Sequence, residues 1–369
     1  MVPPAEFRSY HGRPVLKPPA WDWKVPAYLF TGGLSAGSAL LAAGADLTGR
    51  PALRRATRLG ALASLGASTY LLVADLGRPS RFHHMLRVAK PTSPMSVGSW
   101  ILAAYAPGIG AAALAELLAP PPAGPTPATP LSAAPPSATP LSTGPPSAAP
   151  FFAGLFSAIS RRMPALLRGS SRLTSTYGEV GHGRSRLGSL ARLARVVARP
   201  AGLSSAAVAP AVASYTAVLL SQTAVPAWHE AHPYLPAVFT GSAAASAGGL
   251  GMVLAPVSEA GPARTFAAYG GLCELAASRL LQRRLGLVAE AYHTGRAGRL
   301  RRWSEALTAA GVLGTLAARR NRTVAVAAGL SLLAGSALQR FGTFEAGVAS
   351  TRDPKYVVVP QRQRLDARA

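Results

Sequence analysis

The sequence predicts an all-α integral membrane protein, a polytopic bundle of about eight transmembrane helices interrupted by a disordered Pro-rich insert. Three observations predict it. Of 369 residues, 49% are hydrophobic and only 14% charged, against roughly 25% charged in an average soluble domain. Apolar stretches recur along the chain, most of them near the ~20 residues that cross a bilayer core. The basic residues fall between those stretches, as they do in loops beside anionic lipid headgroups. Mean hydropathy is a modest +0.23 because the insert dilutes it.

The first span is Pro26–Ala45, which has no charge and opens behind Trp21, Trp23 and Tyr28, an aromatic belt. Leu59–Ala74 and Met95–Ala115 follow. Ala201–Trp228 is the fourth and Pro233–Ser258 the fifth, the latter rich in Gly, Ala and Ser. Thr265–Ser278 carries Glu274, Ala306–Ala318 is short, and Thr323–Gln339 is the last. Small residues within these spans, including the GxxxG of Gly33 and Gly37, let helix backbones approach closely.

The chain therefore divides into four parts. Residues 1–118 hold an N-terminal arm and helices 1–3, and residues 119–200 form a Pro/Ala/Ser-rich linker. Residues 201–341 hold helices 4–8, and residues 342–369 are a C-terminal tail. Twelve of the 32 residues in Ala119–Pro150 are proline, and Ala128–Ser137 is nearly repeated in Ala138–Ser147. Such a segment is expected to be extended and disordered. Beyond it, Leu187, Leu190, Leu193 and Val197 recur at helical spacing among arginines, a pattern suited to the membrane surface.

Charge and cysteine content exclude several functions. The balance of 38 Lys+Arg against 14 Asp+Glu gives +24, but no basic block interleaved with aromatics marks a nucleic-acid surface. The lone Cys273 forms no internal disulfide and holds no iron–sulfur cluster. None of the seven histidines sits mid-span, so no haem is expected. The opening MVPPAEFRSYHGRP has no basic region leading directly into an apolar one, and a cleaved signal peptide is not expected.

With eight spans, alternate loops share a face. One face then collects the N-terminal arm, Asp75–Pro94, Gln222–His232, Arg279–Glu305 and the tail. It holds 21 Lys+Arg, against 8 opposite once the long insert is set aside. The positive-inside rule places this face in the cytoplasm.

The densest chemistry lies in Asp75–Trp100. Its Asp75, Arg78, His83 and Trp100 are candidates for a quinone head group, which needs hydrogen-bond donors at two carbonyls and a proton source. Arg81 and Lys90 are candidates for docking a partner. The plain alternative is a helix-capping Asp beside lipid-facing arginines. Tyr215 and Thr216 are expected near mid-membrane in the fourth span, with core packing as the plain alternative for the tyrosine. Glu274 reads as the one carboxylate well inside a span, a candidate for proton transfer together with Glu230. Arg279, five residues on, is poorly placed to pair with Glu274 on one helix face.

Several of these pieces resemble the NrfD/polysulfide-reductase membrane-subunit family. They are WDWKVPAYLFTGGLSAGSALL, ADLGRPSRFHHML, KPTSPMSVGSW, SYTAVLLSQTAVPAWHE and FEAGVASTRDPKYVVVPQR. The resemblance covers every apolar span and omits the insert. It implies an eight-helix subunit of an anaerobic-type respiratory complex, without covalently bound or metal-ligated cofactors of its own. Such a subunit passes electrons between a menaquinone-type quinol and a four-cluster iron–sulfur protein, which serves a molybdopterin or multihaem catalytic subunit. It implies a quinone pocket at the helix end marked by Asp75, Arg78 and Trp100, joined by Tyr215 and Thr216. The alternatives are a passive membrane anchor, or a transporter or proton-translocating subunit with no quinone site.

Overall fold

The computed structural model describes residues 14–118 and 186–367. His11 and the near-repeat of the insert lie outside the described residues. Among the described residues, every regular element is helical. The long helices are α1 (Lys24–Leu47), α2 (Pro51–Ala74), α3 (Pro94–Leu118), α4 (Arg186–Ser221), α5 (Leu235–Leu254), α6 (Gly261–Arg284), α7 (Gly295–Ala317) and α8 (Arg322–Arg352). A twelve-residue helix, α9 (Lys355–Asp366), follows. Pro51 and Pro262 start α2 and α6, where a missing N–H costs nothing. Asn321 caps α8 by accepting from the amides of Thr323 and Val324.

Five of these helices are long and apolar enough to cross a membrane: α1, α3, Val196–Ser221 of α4, α5 and α8. A sixth passes if α2 counts together with the 3-10 segment Pro79–Leu86, from which it is bent by 108°. The expected count of eight rests on α6 and α7, whose charges keep them below that standard. The short apolar run Ala306–Ala318 belongs to the 23-residue α7, which opens with Arg296, Arg299, Arg301 and Arg302. Large apolar side chains cover the outside: Leu313, Leu316 and Leu330 are each more than half exposed. Apolar surface on this scale suits lipid contact and is costly in water.

Three expected boundaries move. The fourth span does not run to Trp228. It ends at Ser221, and a one-turn helix, Pro226–His229, starts afresh on a proline that lacks the amide to continue it. Tyr215 and Thr216 therefore lie in the last two turns of α4, not at its middle. Residues 187–198, expected as a separate surface segment, are the opening turns of α4. The last helix runs on past Gln339 to Arg352, so Arg340 lies inside α8 and drops out of the loop-charge count.

Consecutive long helices run antiparallel. Ser35 and Ser68 of α1 and α2 bond across to Ala61 and Tyr28. Phe239, Ser242 and Met252 of α5 meet Arg340, Ser336 and Arg322 of α8 in reverse order. One end thus gathers the starts of α1, α3, α5 and α7 with the ends of α2, α4, α6 and α8. We call it the motif end. It carries Asp75–Pro94, Gln222–Tyr234, Leu285–Thr294 and α9, the grouping expected from alternation.

Trp228 ties the motif end together. It is fully buried, stacks on Trp21 with ring centroids 5.7 Å apart, and donates its indole N–H to the Thr343 carbonyl at 2.8 Å. At the opposite end a charged cluster clamps α1, α2, α3 and α4. Glu116 accepts from Arg54 at 2.7 Å and Arg58 at 2.8 Å, while Asp46 pairs with Arg54 and Arg199, each at 3.2 Å. Glu116 and Arg58 are buried, so each neutralises a charge that would otherwise be stranded.

Small residues set the helix spacing. A Cβ on Gly249 would lie 2.7 Å from the Gly329 carbonyl oxygen, and one on Gly248 2.5 Å from the Ala267 amide nitrogen. Gly249→Leu should therefore force α5 from α8 and cost about 1–3 kcal/mol, the range for overpacking, read as a lower thermal midpoint in micelles. Glu116→Gln leaves two arginines without their shared carboxylate. Breaking a buried pair predicts a loss of about 3 kcal/mol, measurable by the same unfolding, and an unchanged midpoint would show the cluster to be energetically neutral.

Candidate functional site

The polar groups of the motif end fall into three places. The first lies where α1, α2, α3 and α4 converge. Asp22 precedes α1 and accepts from Lys24, whose ammonium lies 2.5 Å from the carboxylate. That hydrogen bond holds Asp22 below the ordinary carboxylate range. Lys24 also feels the charges of Asp75 and Tyr70. Asp75 caps the C-terminus of α2, where the helix breaks before Gly77. Tyr28, one turn into α1 and 8% exposed, is within electrostatic reach of both Asp75 and Tyr215. The Tyr215 ring fills the space that a side chain at Gly98 of α3 would occupy. Glycine at position 98 is thus what admits the tyrosine to this junction.

The junction brings together three phenols (Tyr28, Tyr70 and Tyr215), two carboxylates (Asp22 and Asp75) and the Lys24 ammonium from different sequence regions. Partial burial raises Asp75 above its ordinary range, Asp22's negative charge adds to the effect, and Lys24 opposes it. A carboxyl so placed takes up a proton at higher pH than a free one. Phenol O–H groups donate to carbonyl oxygens.

The other sequence candidates of this region sit farther out. Arg78, Arg81, His83 and Lys90 are exposed on the 3-10 segment and the loop after it. His83 packs edge-on against Phe82 and His84. Trp100 is 45% exposed and donates to the Val88 carbonyl at 3.4 Å, as does the Ser96 hydroxyl at 2.8 Å. Trp100 thereby pins the loop over the start of α3. Thr216 is buried next to Tyr215 in sequence.

The second place is a groove of about 600 Å³ between the Ser221–His232 turn and α9. It contains His229, His232 and Glu230 on one side and Tyr356, Gln361 and Arg364 on the other. Glu230 is salt-bridged to Arg364, so it works here as a strut for α9.

The third place is deep between α5, α6, α7 and α8. Glu274 is 2% exposed and Arg340 is 1% exposed. Arg340 donates to the Phe239 carbonyl and to Gln339, each at 2.8 Å, and lies 3.6 Å over the Phe239 ring. Arg279 is exposed, and Arg340 is the guanidinium whose field reaches Glu274. Glu116 shows that Glu274 is not the only buried carboxylate within a long helix.

Sequence reasoning missed Asp22, Lys24, Tyr28 and Tyr70 as members of the first place. Tyr28 reads in sequence as an aromatic-belt residue, and only helix packing turns it toward Asp75. It missed Arg340 because the apolar run before it reads as closing the span. An arginine one residue beyond an apolar run, still followed by small residues, was the available signal.

A family model described as polysulphide reductase, NrfD, matches residues 13–118. That stretch contains α1, α2, α3 and the loop from Asp75 to Pro94, and with them Lys24, Tyr28 and Asp75 of the first place. No curated protein matches the chain.

Asp75 takes up its proton above the ordinary carboxylate range in the folded chain, chiefly through partial burial. Its folded value lies above its unfolded one, so the folded state holds the proton more tightly. Stability from this group is full below the unfolded value, ~4, and declines as pH rises through the folded one. Asp75→Asn should thus match or exceed the native thermal midpoint at neutral pH, with the difference closing in acid. A lower midpoint at neutral pH would identify Asp75 as a structural hydrogen-bonding group.

Proposed function

We propose that this chain is the quinone-interacting membrane subunit of a respiratory oxidoreductase, passing electrons between a menaquinone-type quinone and an iron–sulfur partner. The observation that carries the reading is the meeting of Tyr28, Asp75 and Tyr215 at one end of the helices, two of them inside the NrfD-matched stretch. The resemblance of the later pieces, from SYTAVLLSQTAVPAWHE to the tail, adds Tyr215 to the same reading.

The chemistry follows from the groups present. A quinone head group entering between α1 and α4 from the lipid meets phenol O–H donors of Tyr28 and Tyr215 at its carbonyl oxygens. Quinol oxidation sends two electrons in succession to the partner's cluster and releases two hydroxyl protons; Asp75 accepts one, passes it to water at the motif end, and accepts the other. Quinone reduction runs the same two transfers in reverse. Lys24 keeps a positive charge beside the oxygen that becomes anionic, which favours the charged intermediate. The exposed basic loop of Arg78, Arg81, His83 and Lys90 suits an acidic face of the iron–sulfur protein. The catalytic subunit beyond it, molybdopterin or multihaem, completes the chain of electron carriers. The excess of basic residues at the motif end favours a cytoplasmic orientation for that end in the cell membrane.

Purified complex should reduce or oxidise a menaquinone analogue, and Asp75→Asn should lower that turnover about 100-fold, the lower range for general acid–base catalysis. Assembly with the iron–sulfur protein should be unchanged. Normal turnover in the variant removes Asp75 from the site. A complex that assembles but binds no quinone makes the chain a passive anchor.

A further inference from the structure

Glu274 lines a small, partly open cavity that the quinone reading does not use. Its Oε2 is buried with no hydrogen-bond partner, and Oε1 accepts from Thr308 at 3.4 Å. The cavity is about 30 Å³ and its polar lining includes Glu274, Ser278, Gln282, Ser304, Glu305 and Gln339. A bound water needs roughly 10–15 Å³ of such space and two or more polar partners. The cavity therefore has room for one or two waters against the orphaned carboxylate oxygen.

Polar groups continue from there toward the motif end. Glu305 accepts from Gln282 at 3.3 Å and from Arg301 at 2.7 Å. Arg301 in turn lies 3.1 Å from Nδ1 of His293, an exposed histidine in the turn before α7. Burial and the Arg301 charge hold His293 below its ordinary range, so it is neutral and able to accept a proton at neutral pH.

Toward the opposite end the same helices close. A Cβ on Gly270 would lie 2.5 Å from the Ala245 amide, and one on Gly311 2.5 Å from the Leu332 side chain. Gly271 packs on Val312. Backbone and aliphatic contacts at this spacing leave no room for water.

We infer that Glu274 is a buried proton-accepting site supplied by water from the motif end alone, a one-sided store and not a point on a route across the protein. Loading forms an O–H bond at Glu274 Oε2 and breaks one on the cavity water. That water regains a proton from solvent water at the motif-end mouth of the cavity, which Gln282 and the Arg301-paired Glu305 keep polar. Unloading reverses each step. The groups facing Glu274 are Ser242 from α5, Thr308 and Glu305 from α7, and Arg340 from α8. Arg340 supplies the positive charge that makes the ionised form tolerable at this depth. A store opening on the same end as the Tyr28–Asp75–Tyr215 junction would exchange protons with the compartment that quinone chemistry uses, yet it needs no quinone to operate.

The test is infrared difference spectroscopy on the full chain in liposomes, with its orientation established by protease accessibility. A protonated-carboxyl C=O band should appear on acidification, be absent in Glu274→Gln, and shift in D₂O. A pH step on the motif-end side should drive the band, and a step on the other side should not. Ser278→Leu, which fills the cavity, should slow the D₂O shift about tenfold, the effect expected of losing a water bridge worth about 1.4 kcal/mol. Gln282→Leu should do the same and serves if Ser278→Leu fails to fold. A band that persists in Glu274→Gln, a response to the opposite side, or unslowed exchange in a folded cavity-filling variant overturns the inference. Because no quinone is present, the result is independent of turnover.

Discussion

Close backbone approach along α5 is the constraint on which the rest of the structure depends. In lipid there is no hydrophobic drive between apolar helices, so association rests on packing and on bonds between them. Gly241, Gly248 and Gly249 put α5 against the backbones of α6 and α8, and Gly37 puts α1 against Ala243. With α5 as the shared partner, α1, α6 and α8 are held at fixed depth. That depth sets Arg340 beside Phe239 and Glu274 beside Thr308.

Polar contacts then fix what packing leaves free. At the opposite end the Asp46–Arg54–Arg58–Glu116 cluster joins α1, α2 and α3, and Arg199 brings in α4. At the motif end Trp228 and Tyr292 do the corresponding work, the tyrosine donating to the Ala227 carbonyl at 3.0 Å. The α1–α4 junction is held from both sides, which keeps Tyr28, Asp75 and Tyr215 in mutual reach without a direct bond joining all three. Their donors are thus positioned by the fold itself.

Much of this was legible in the sequence. Apolar runs of near-membrane length located the long helices, and alternation grouped the loops correctly because consecutive helices do run antiparallel. Asp75 stood out as a polar residue at a helix end, whereas Tyr215 read as a mid-span residue and lies in the last two turns of α4. Two kinds of information were not legible. Hydropathy averages over a window, so Arg340 looked like the end of a helix when its charge is absorbed by the Phe239 carbonyl and ring. Pairings between distant helices also leave no local pattern. Nothing near Tyr28 announces Tyr215, and nothing near Arg58 announces Glu116. The break after Ser221 was partly visible, since Pro226 cannot continue a helix begun before it, but a single proline is tolerated within α3 at Pro107.

The central claim is that quinone binds between α1 and α4 at the motif end. A photoreactive menaquinone analogue, crosslinked to the assembled complex and mapped by mass spectrometry, tests it most directly. The account predicts adducts on peptides containing Tyr28, Asp75 or Tyr215, competed away by unlabelled quinone. Competed adducts confined to α6, α7 and α8, with none on α1, α2 or α4, would contradict it.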